Sequence, residues 1–165
     1  MPRIGLLSDT HSFINPRILE FFASCDEIWH AGDIGDLDTA VILASMKPLK
    51  AVVGNIDGND LKSFYPHYQE FMCEDVKVLI LHIGGYPGKY TQEARKLIKE
   101  MKPRLFITGH SHILKVINDP KNNLLHINPG AAGKSGFHEV STLVRFTIDG
   151  ADIKELEIME LPRKA

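Results

Sequence analysis

Leu105-Phe106-Ile107-Thr108-Gly109-His110-Ser111-His112 is the stretch whose reading decides the fold. Its apolar start reads as a short buried strand, and the glycine stops that strand at a tight turn. Two imidazoles follow, just past the point where the backbone leaves a ladder, so both rings can converge on one point in a cleft. Histidine is the commonest metal ligand among side chains. Taken alone, the stretch reads equally well as a polar loop with two solvated histidines. The rest of the chain decides between them.

Upstream, Ile4 to Ser8 reads as a buried strand that runs into Asp9-Thr10-His11. Asn15-Pro16 is a helix start, with a side-chain cap and proline at the first helical position. That helix buries Ile18, Phe21 and Phe22 and ends near Ser24. Glu27 to His30 is a second strand, ending at Gly32-Asp33. A helix from near Asp38 to Lys47 carries Val41, Ile42 and Met46 on one face and stops at Pro48. Ala51 to Val53 is a third strand, ending at Gly54-Asn55. Strand, polar strand end, helix, strand is the rhythm of an α/β domain.

From Asp57 to about Tyr68 the pattern reads as loop. Phe71 to Cys73 and Val76 to Leu81 read as strands, the second ending at His82. A glycine-rich loop, Gly84 to Tyr90, leads to Thr91, the cap of a helix that turns Leu97, Ile98 and Met101 inward and ends at Pro103. Beyond His112 the pattern becomes all strand: Leu114 to Ile117, Leu124 to Ile127, Thr142 to Ile148 and Ile153 to Leu161. Asp149-Gly150 signals a hairpin between the last two. Leu156 and Ile158 alternate with Glu155 and Glu157, which predicts one wet face. The expectation is two packed sheets with helices outside, in a single domain spanning 1–165.

Composition narrows the function classes. A chain of 165 residues can bury a sizeable core. Lys and Arg number 19 against 21 Asp and Glu, so there is no electrostatic footprint for nucleic acid or an anionic membrane. No apolar stretch approaches the ~20 residues of a membrane helix, and no secretion signal precedes Ile4. Cys25 and Cys73 lack zinc-like spacing and read as reduced thiols of a cytoplasmic protein. Eight histidines are the compositional oddity.

The strand ends carry Asp9 and His11, then Asp33, Asn55, His82, and finally His110 and His112. Ligands of α/β sheets bind beyond the carboxyl ends of strands, so these residues should gather on one rim. Each has an ordinary reading by itself: Asp9 as a turn cap, Asn55 in a left-handed turn, His82 as a core histidine. Together they exceed the four ligands of one zinc site and suit two ions with mixed nitrogen and oxygen donors. A shared carboxylate would hold such ions about 3.5–4 Å apart, the spacing used in phosphoryl chemistry.

Asp9-Thr10-His11, Gly32-Asp33, Gly54-Asn55, His82 and Gly109-His110-Ser111-His112 resemble, in order and spacing, the motifs of the calcineurin-like metallophosphoesterases. The small size, Asn55-Ile56-Asp57 and Asn128-Pro129-Gly130 resemble the compact YfcE-like phosphodiesterase branch. The resemblance implies a four-layer αββα sandwich of two mixed β-sheets flanked by helices, the metallo-dependent phosphatase-like fold. It implies one metal on Asp9, His11, Asp33 and His112 and a second on Asp33, Asn55, His82 and His110, with Asp33 bridging. It further implies a phosphodiesterase in which a metal-bridging hydroxide attacks phosphorus in line, with no protein nucleophile. The ions are expected to be Mn in assays, with Zn, Fe, Ni or Co also suited to this donor set. The substrate is expected to be a small phosphodiester, and a homodimer stays open.

Two positions depart from the family. Larger relatives place a histidine directly after the ligand asparagine, where this chain has Ile56, and Ile83 stands where a glycine is expected. Leaving-group protonation must then come from water or another residue. Tyr86, Lys89 and Tyr90 are expected near substrate. His30, Asp36 and Asp57 are candidates for orienting ligands from behind. Lys134 and His138 are weaker phosphate contacts, and Gly130 to Lys134 lacks the phosphate-loop pattern. The alternatives are a non-catalytic metal-binding scaffold or protein-interaction module on the same fold, as in a eukaryotic retromer subunit, and an amidohydrolase, which also uses His-x-His pairs.

Overall fold

The computed structural model describes residues 1–134 and 140–162. Its first sheet combines β1 (Arg3–Leu7), β2 (Glu27–His30) and β3 (Leu49–Ala51), all parallel, with β9 (Val140–Asp149) and β10 (Asp152–Pro162), in the order β10-β9-β1-β2-β3. The second has the order β4-β5-β6-β8-β7. Here β5 (Val76–Leu81), β6 (Leu105–Ile107) and β8 (Leu124–Pro129) are parallel, while β4 (Tyr68–Cys73) and β7 (Leu114–Asp119) run antiparallel at the edges. The hairpin at Asp149-Gly150 joins β9 to β10 as expected.

Four layers follow from where the apolar faces go. Ile4, Leu6 and Trp29 of the first sheet meet Val78, Ile80, Ile107 and Ile127 of the second in a core between the sheets. Trp29 is fully buried and stands edge-on to Phe71 and Phe146, with centroids 5.0 and 5.9 Å away. That geometry suits the aromatic quadrupoles. On the outer face of the first sheet, α1 (Pro16–Phe22) and α2 (Leu37–Met46) lay Ile18, Phe21, Phe22 and Leu43 over Leu7 and Ile28. On the outer face of the second, α4 (Gln92–Met101) lays Ala94, Leu97 and Ile98 over Leu79, Leu81 and Phe106. This is the αββα architecture, an α/β fold of two mixed five-stranded sheets.

Helix starts follow local chemistry. The Asn15 side chain accepts from the Arg17 N–H ahead of Pro16, and Thr91 accepts from the Ala94 N–H. Lys102 takes a left-handed φ of 50° before Pro103 and so ends α4.

Three expectations are corrected. α2 buries Thr39, Ala40 and Leu43, and leaves Val41 and Ile42 exposed. The helix is apolar nearly all round, so periodicity could not select its inward face. In β10 a bulge between Lys154 and Glu157, with Glu155 at φ 55°, breaks the alternation. Leu156 joins Ile153 at the core between the sheets, Met159 packs on the opposite, helix-covered face, and Ile158 is exposed, so the predicted single wet face is lost. The stretch after Asp57 holds a single helical turn, α3 (Asn59–Lys62), which seats Leu61 against Ile34 and Val53.

His126, on β8, is fully buried beside the Tyr90 and Phe106 rings, with Nε2 3.3 Å from the Thr108 hydroxyl. Burial pushes its pKa down to about 4. The unfolded chain therefore binds this proton first, and stability is lost as pH falls from 6.5 toward 4. Urea titrations across that window should show the wild-type chain losing about 1.4 kcal/mol per pH unit more than a His126→Phe chain; parallel slopes would refute a neutral His126.

Candidate metal centre

The seven strand-end residues meet where the two sheets come together, and the backbone around them is unusual. Asp9, His11, Asp33, His110 and His112 all have positive φ, between 48° and 72°. Non-glycine residues rarely adopt this region, and such residues cluster at functional sites. The loops after β1 and β2 hold these conformations by pairing with each other. Asp9, His11 and Ser12 donate their N–H groups to the carbonyls of Gly32, Asp33 and Ile34, at 2.9, 3.1 and 2.8 Å. The turn after β6 joins them through the Gly109 N–H, which donates to the His82 carbonyl at 3.0 Å.

Each carboxylate is half spent on the protein and half free. Asp9 Oδ2 accepts from the Ser8 hydroxyl at 2.6 Å and the His110 N–H at 3.1 Å. Its Oδ1 lies 3.3 Å from His112 Nε2, 3.7 Å from His11 Nε2 and 3.8 Å from His82 Nε2. Asp33 Oδ1 accepts from the Ile56 N–H at 3.1 Å, while its Oδ2 sits 3.5 Å from His11 Nε2 and 3.3 Å from His82 Nε2. Asn55 Oδ1 is 3.1 Å from His82 Nε2 and 3.2 Å from His110 Nδ1. Two donor groups result, Asp9 with His11 and His112, and Asp33 with His82 and His110. Within each group the donor atoms lie within 4.8 Å of one another. Asp33 Oδ2 stands between the groups.

Electrostatics favour positive charge here. Burial opposes ionisation of Asp9, but His112, His82 and Ser8 outweigh it and bring its pKa down to about 2. Asp33 is lowered against the same penalty, chiefly by His82. The His82 Nδ1–H donates to the Ala31 carbonyl at 2.8 Å, which leaves Nε2 facing the carboxylates. Burial alone would keep that ring neutral, but Asp33 and Asp9 raise its pKa. Asp9 Oδ1 and His11 Nε2 are buried without a hydrogen-bond partner. Buried polar atoms are almost always satisfied, so two unsatisfied donor atoms facing each other fit a cation. The donor set, imidazole with carboxylate and amide oxygen, fits divalent transition metals.

The surroundings explain how the donors are aimed. Gly32 and Gly54 permit contacts that a side chain would block. A Cβ on Gly32 would meet the His82 ring at 2.6 Å, and one on Gly54 would meet Asp33 Oδ1 at 2.0 Å. His30 is fully buried: the Gly32 N–H donates to its Nδ1, so Nε2 donates to Thr10, whose hydroxyl donates to Ile34. It braces the backbone of both loops through these hydrogen bonds. Asp57 accepts from the Ile34, Gly35 and Gly54 N–H groups and ties the second loop to the third. Asp36 faces elsewhere, capping α2 through Thr39. Sequence reasoning missed Ser8 and Asn128. The Asn128 amide donates to the Gly109 carbonyl and the Ser111 hydroxyl and so fixes the His-Ser-His turn. Its visible signal was Asn128-Pro129-Gly130.

Among the expected substrate contacts, Tyr90 is turned into the core and its hydroxyl donates to Asp119 at 2.8 Å. Tyr86 carries the Lys115 ammonium 3.8 Å above its ring, Lys89 is exposed, and Lys134 lies 4.1 Å over Phe13. His138 lies outside the described residues. The Gly130 to Lys134 stretch spends two amides, Ala132 and Gly133, on the Ser8 and Asp9 carbonyls, so it braces the first loop. A cleft of about 730 Å³ between α4 and the β7–β8 turn contains none of the seven residues. The groups that could hold a metal ion lie in the donor cluster, away from that cleft.

Comparison with known proteins gives the family and the fold. The chain is 30% identical over 155 residues to a probable metallophosphoesterase of Methanothermobacter thermautotrophicus, covering 89% of this chain and 86% of that one. Among solved structures, an archaeal phosphodiesterase matches with a TM-score of 0.78 at 22% identity, covering 96% of this chain and 99% of that one. The Vps29 of Entamoeba histolytica complexed with zinc matches with a TM-score of 0.76 at 15% identity, covering 98% and 99%. The model of the calcineurin-like phosphoesterase superfamily domain matches residues 2–151, and the chain belongs to that family.

Proposed function

We propose that this chain is a phosphodiesterase working with two divalent metal ions. Asp9, His11 and His112 would hold one, His82, His110 and Asn55 the other, and Asp33 would bridge them. The observation that carries this reading is the position of Asp33 Oδ2, within 3.5 Å of an imidazole from each donor group. The similarity in fold to an archaeal phosphodiesterase supports the diesterase assignment. Manganese is the proposed ion for assays, and zinc is bound by a Vps29 of the same fold.

When bound, two such ions lower the pKa of a coordinated water and offset charge on phosphoryl oxygens. The chain's own part is orientation. Ser8 and the His110 N–H hold one oxygen of Asp9, the Ile56 N–H holds one oxygen of Asp33, and the Ala31 carbonyl fixes the His82 tautomer. Ile56 has no proton to give, so the reading favours substrates whose leaving group departs without protein assistance. No helix among the described residues is long and apolar enough to cross a membrane, and we place the protein in the cytoplasm with a small phosphodiester as substrate. The fold of Vps29 keeps one rival in view, a metal-binding scaffold without turnover.

Hydrolysis of bis(p-nitrophenyl) phosphate by metal-stripped protein, with and without Mn2+, tests the reading. Metal-dependent turnover is expected; two bound ions without turnover would favour the scaffold. Asp33→Asn should lower kcat by more than about 100-fold while near-UV circular dichroism is retained, and a rate close to wild type would remove Asp33 from its bridging role. Gly54→Ala should weaken Mn2+ binding by about tenfold or more in calorimetry, because its Cβ meets Asp33 Oδ1 at 2.0 Å and the Asp33 backbone nitrogen at 2.4 Å and so shifts that residue as a whole. Ile56→His should melt within about 2 °C of wild type, since Ile56 is 47% exposed; collapse would mean that the rim is structural.

A further inference from the structure

Ile56, Ile83 and Ile113 are 47%, 40% and 46% exposed. A single exposed isoleucine needs no explanation. These three are different in placement, because each directly follows a member of the donor cluster: Asn55, His82 and His112. They stand on three separate loops that meet at the cluster. Asn55 Oδ1 lies 3.1 Å from His82 Nε2, and His82 Nε2 and His112 Nε2 lie 3.8 and 3.3 Å from Asp9 Oδ1.

We propose that these isoleucines form an apolar collar around the donor cluster and that the collar binds the retained ester group of a phosphodiester. The proposal rests on the phosphodiesterase reading and names the substrate class within it: diesters with an aryl or bulky alkyl retained group. With phosphorus held at the cluster, the retained group must leave across the rim that these loops form. A diester carries one negative charge and two organic groups, whereas a monoester carries two charges and one group. Apolar rim surface rewards the second organic group and gives nothing to a second charge.

The collar is held ready. The Ile56 N–H donates to Asp33 Oδ1, the Thr91 hydroxyl donates to the Ile83 carbonyl, and the Ile113 N–H donates to the Ser111 hydroxyl. Backbone fixed at three points lowers the ordering cost at binding to that of the side chains themselves. Two described lysines, Lys115 and Lys134, are drawn onto the rings of Tyr86 and Phe13, while Lys89 stays exposed.

The test compares two p-nitrophenyl diesters with the same leaving group, one retaining a methyl and the other a benzyl ester. The benzyl diester should show kcat/KM about tenfold or more above the methyl diester, and in an Ile56→Asn, Ile83→Asn, Ile113→Asn chain that ratio should fall toward one. A second readout needs no turnover. In Zn2+-loaded protein labelled at isoleucine δ1 methyls, benzylphosphonate should shift the three rim methyls and methylphosphonate should not. Shifted methyls without turnover under any metal would sink the phosphodiesterase reading and leave the collar standing as a ligand site. Turnover with equal kcat/KM for both diesters and silent methyls would overturn the collar and leave the reading intact. Concentration-dependent broadening of the same methyls, with a dimer in sedimentation, would also overturn it, since a second copy would then cover the rim.

Discussion

Asp9 is a fully buried carboxylate reached from both sheets, and the arrangement of the centre depends on it. One oxygen is satisfied by Ser8, its own neighbour on the first sheet, and by the His110 amide at the end of β6 on the second. The other faces three imidazoles and has no hydrogen-bond partner. A buried charge is costly unless compensated. Part of the compensation comes from groups that could not be brought together without closing the two sheets onto each other. The same contact therefore fixes how the sheets dock and where the donors stand. Asp33 repeats the device, with the Ile56 amide in place of Ser8 and His110.

That economy has a conformational cost. Five of the seven residues sit at positive φ, each of order 1–3 kcal/mol for a non-glycine residue. Such conformations persist only where the surroundings over-determine them, and here the surroundings are named. The first two loops pair through three backbone hydrogen bonds, Asp57 gathers three amides from the second and third, and Asn128 clamps the last. His30 fills the space beneath with its tautomer fixed at both nitrogens, and burial takes its pKa down to about 4. A neutral imidazole adds no charge behind the donors, so the attraction for cations stays in front, where the free oxygens point.

Much of this was legible in the sequence because strand ends are punctuated there. Glycine before Asp33, Asn55 and His110 marks where a ladder stops, and the donor-type residue that follows is the next to be aimed. What was not legible has physical reasons. α2 is apolar on nearly every side, so Val41 and Ile42 looked as buriable as Leu43. The β10 bulge at Glu155 adds one residue that no alternation rule can foresee. Tyr90 carries the same hydroxyl in a loop or in a core, and only the buried Asp119 decides which. The supporting hydrogen bonds of Ser8 and Asn128 span contacts that no local spacing encodes.

The position after Asn55 separates two roles that a histidine there would combine. Its amide orients Asp33 at 3.1 Å, and any residue except proline supplies that bond. Its side chain, 47% exposed, contributes to no core cluster. Replacing a proton donor by isoleucine thus leaves the aim of the carboxylate untouched and changes only what meets the substrate. The orientation of the centre is kept by backbone and buried groups, while the rim is free to trade proton transfer for apolar contact. On the proposed reading, such a centre would favour esters with acidic leaving groups, because what isoleucine takes away is help in departure and not the aim of Asp33.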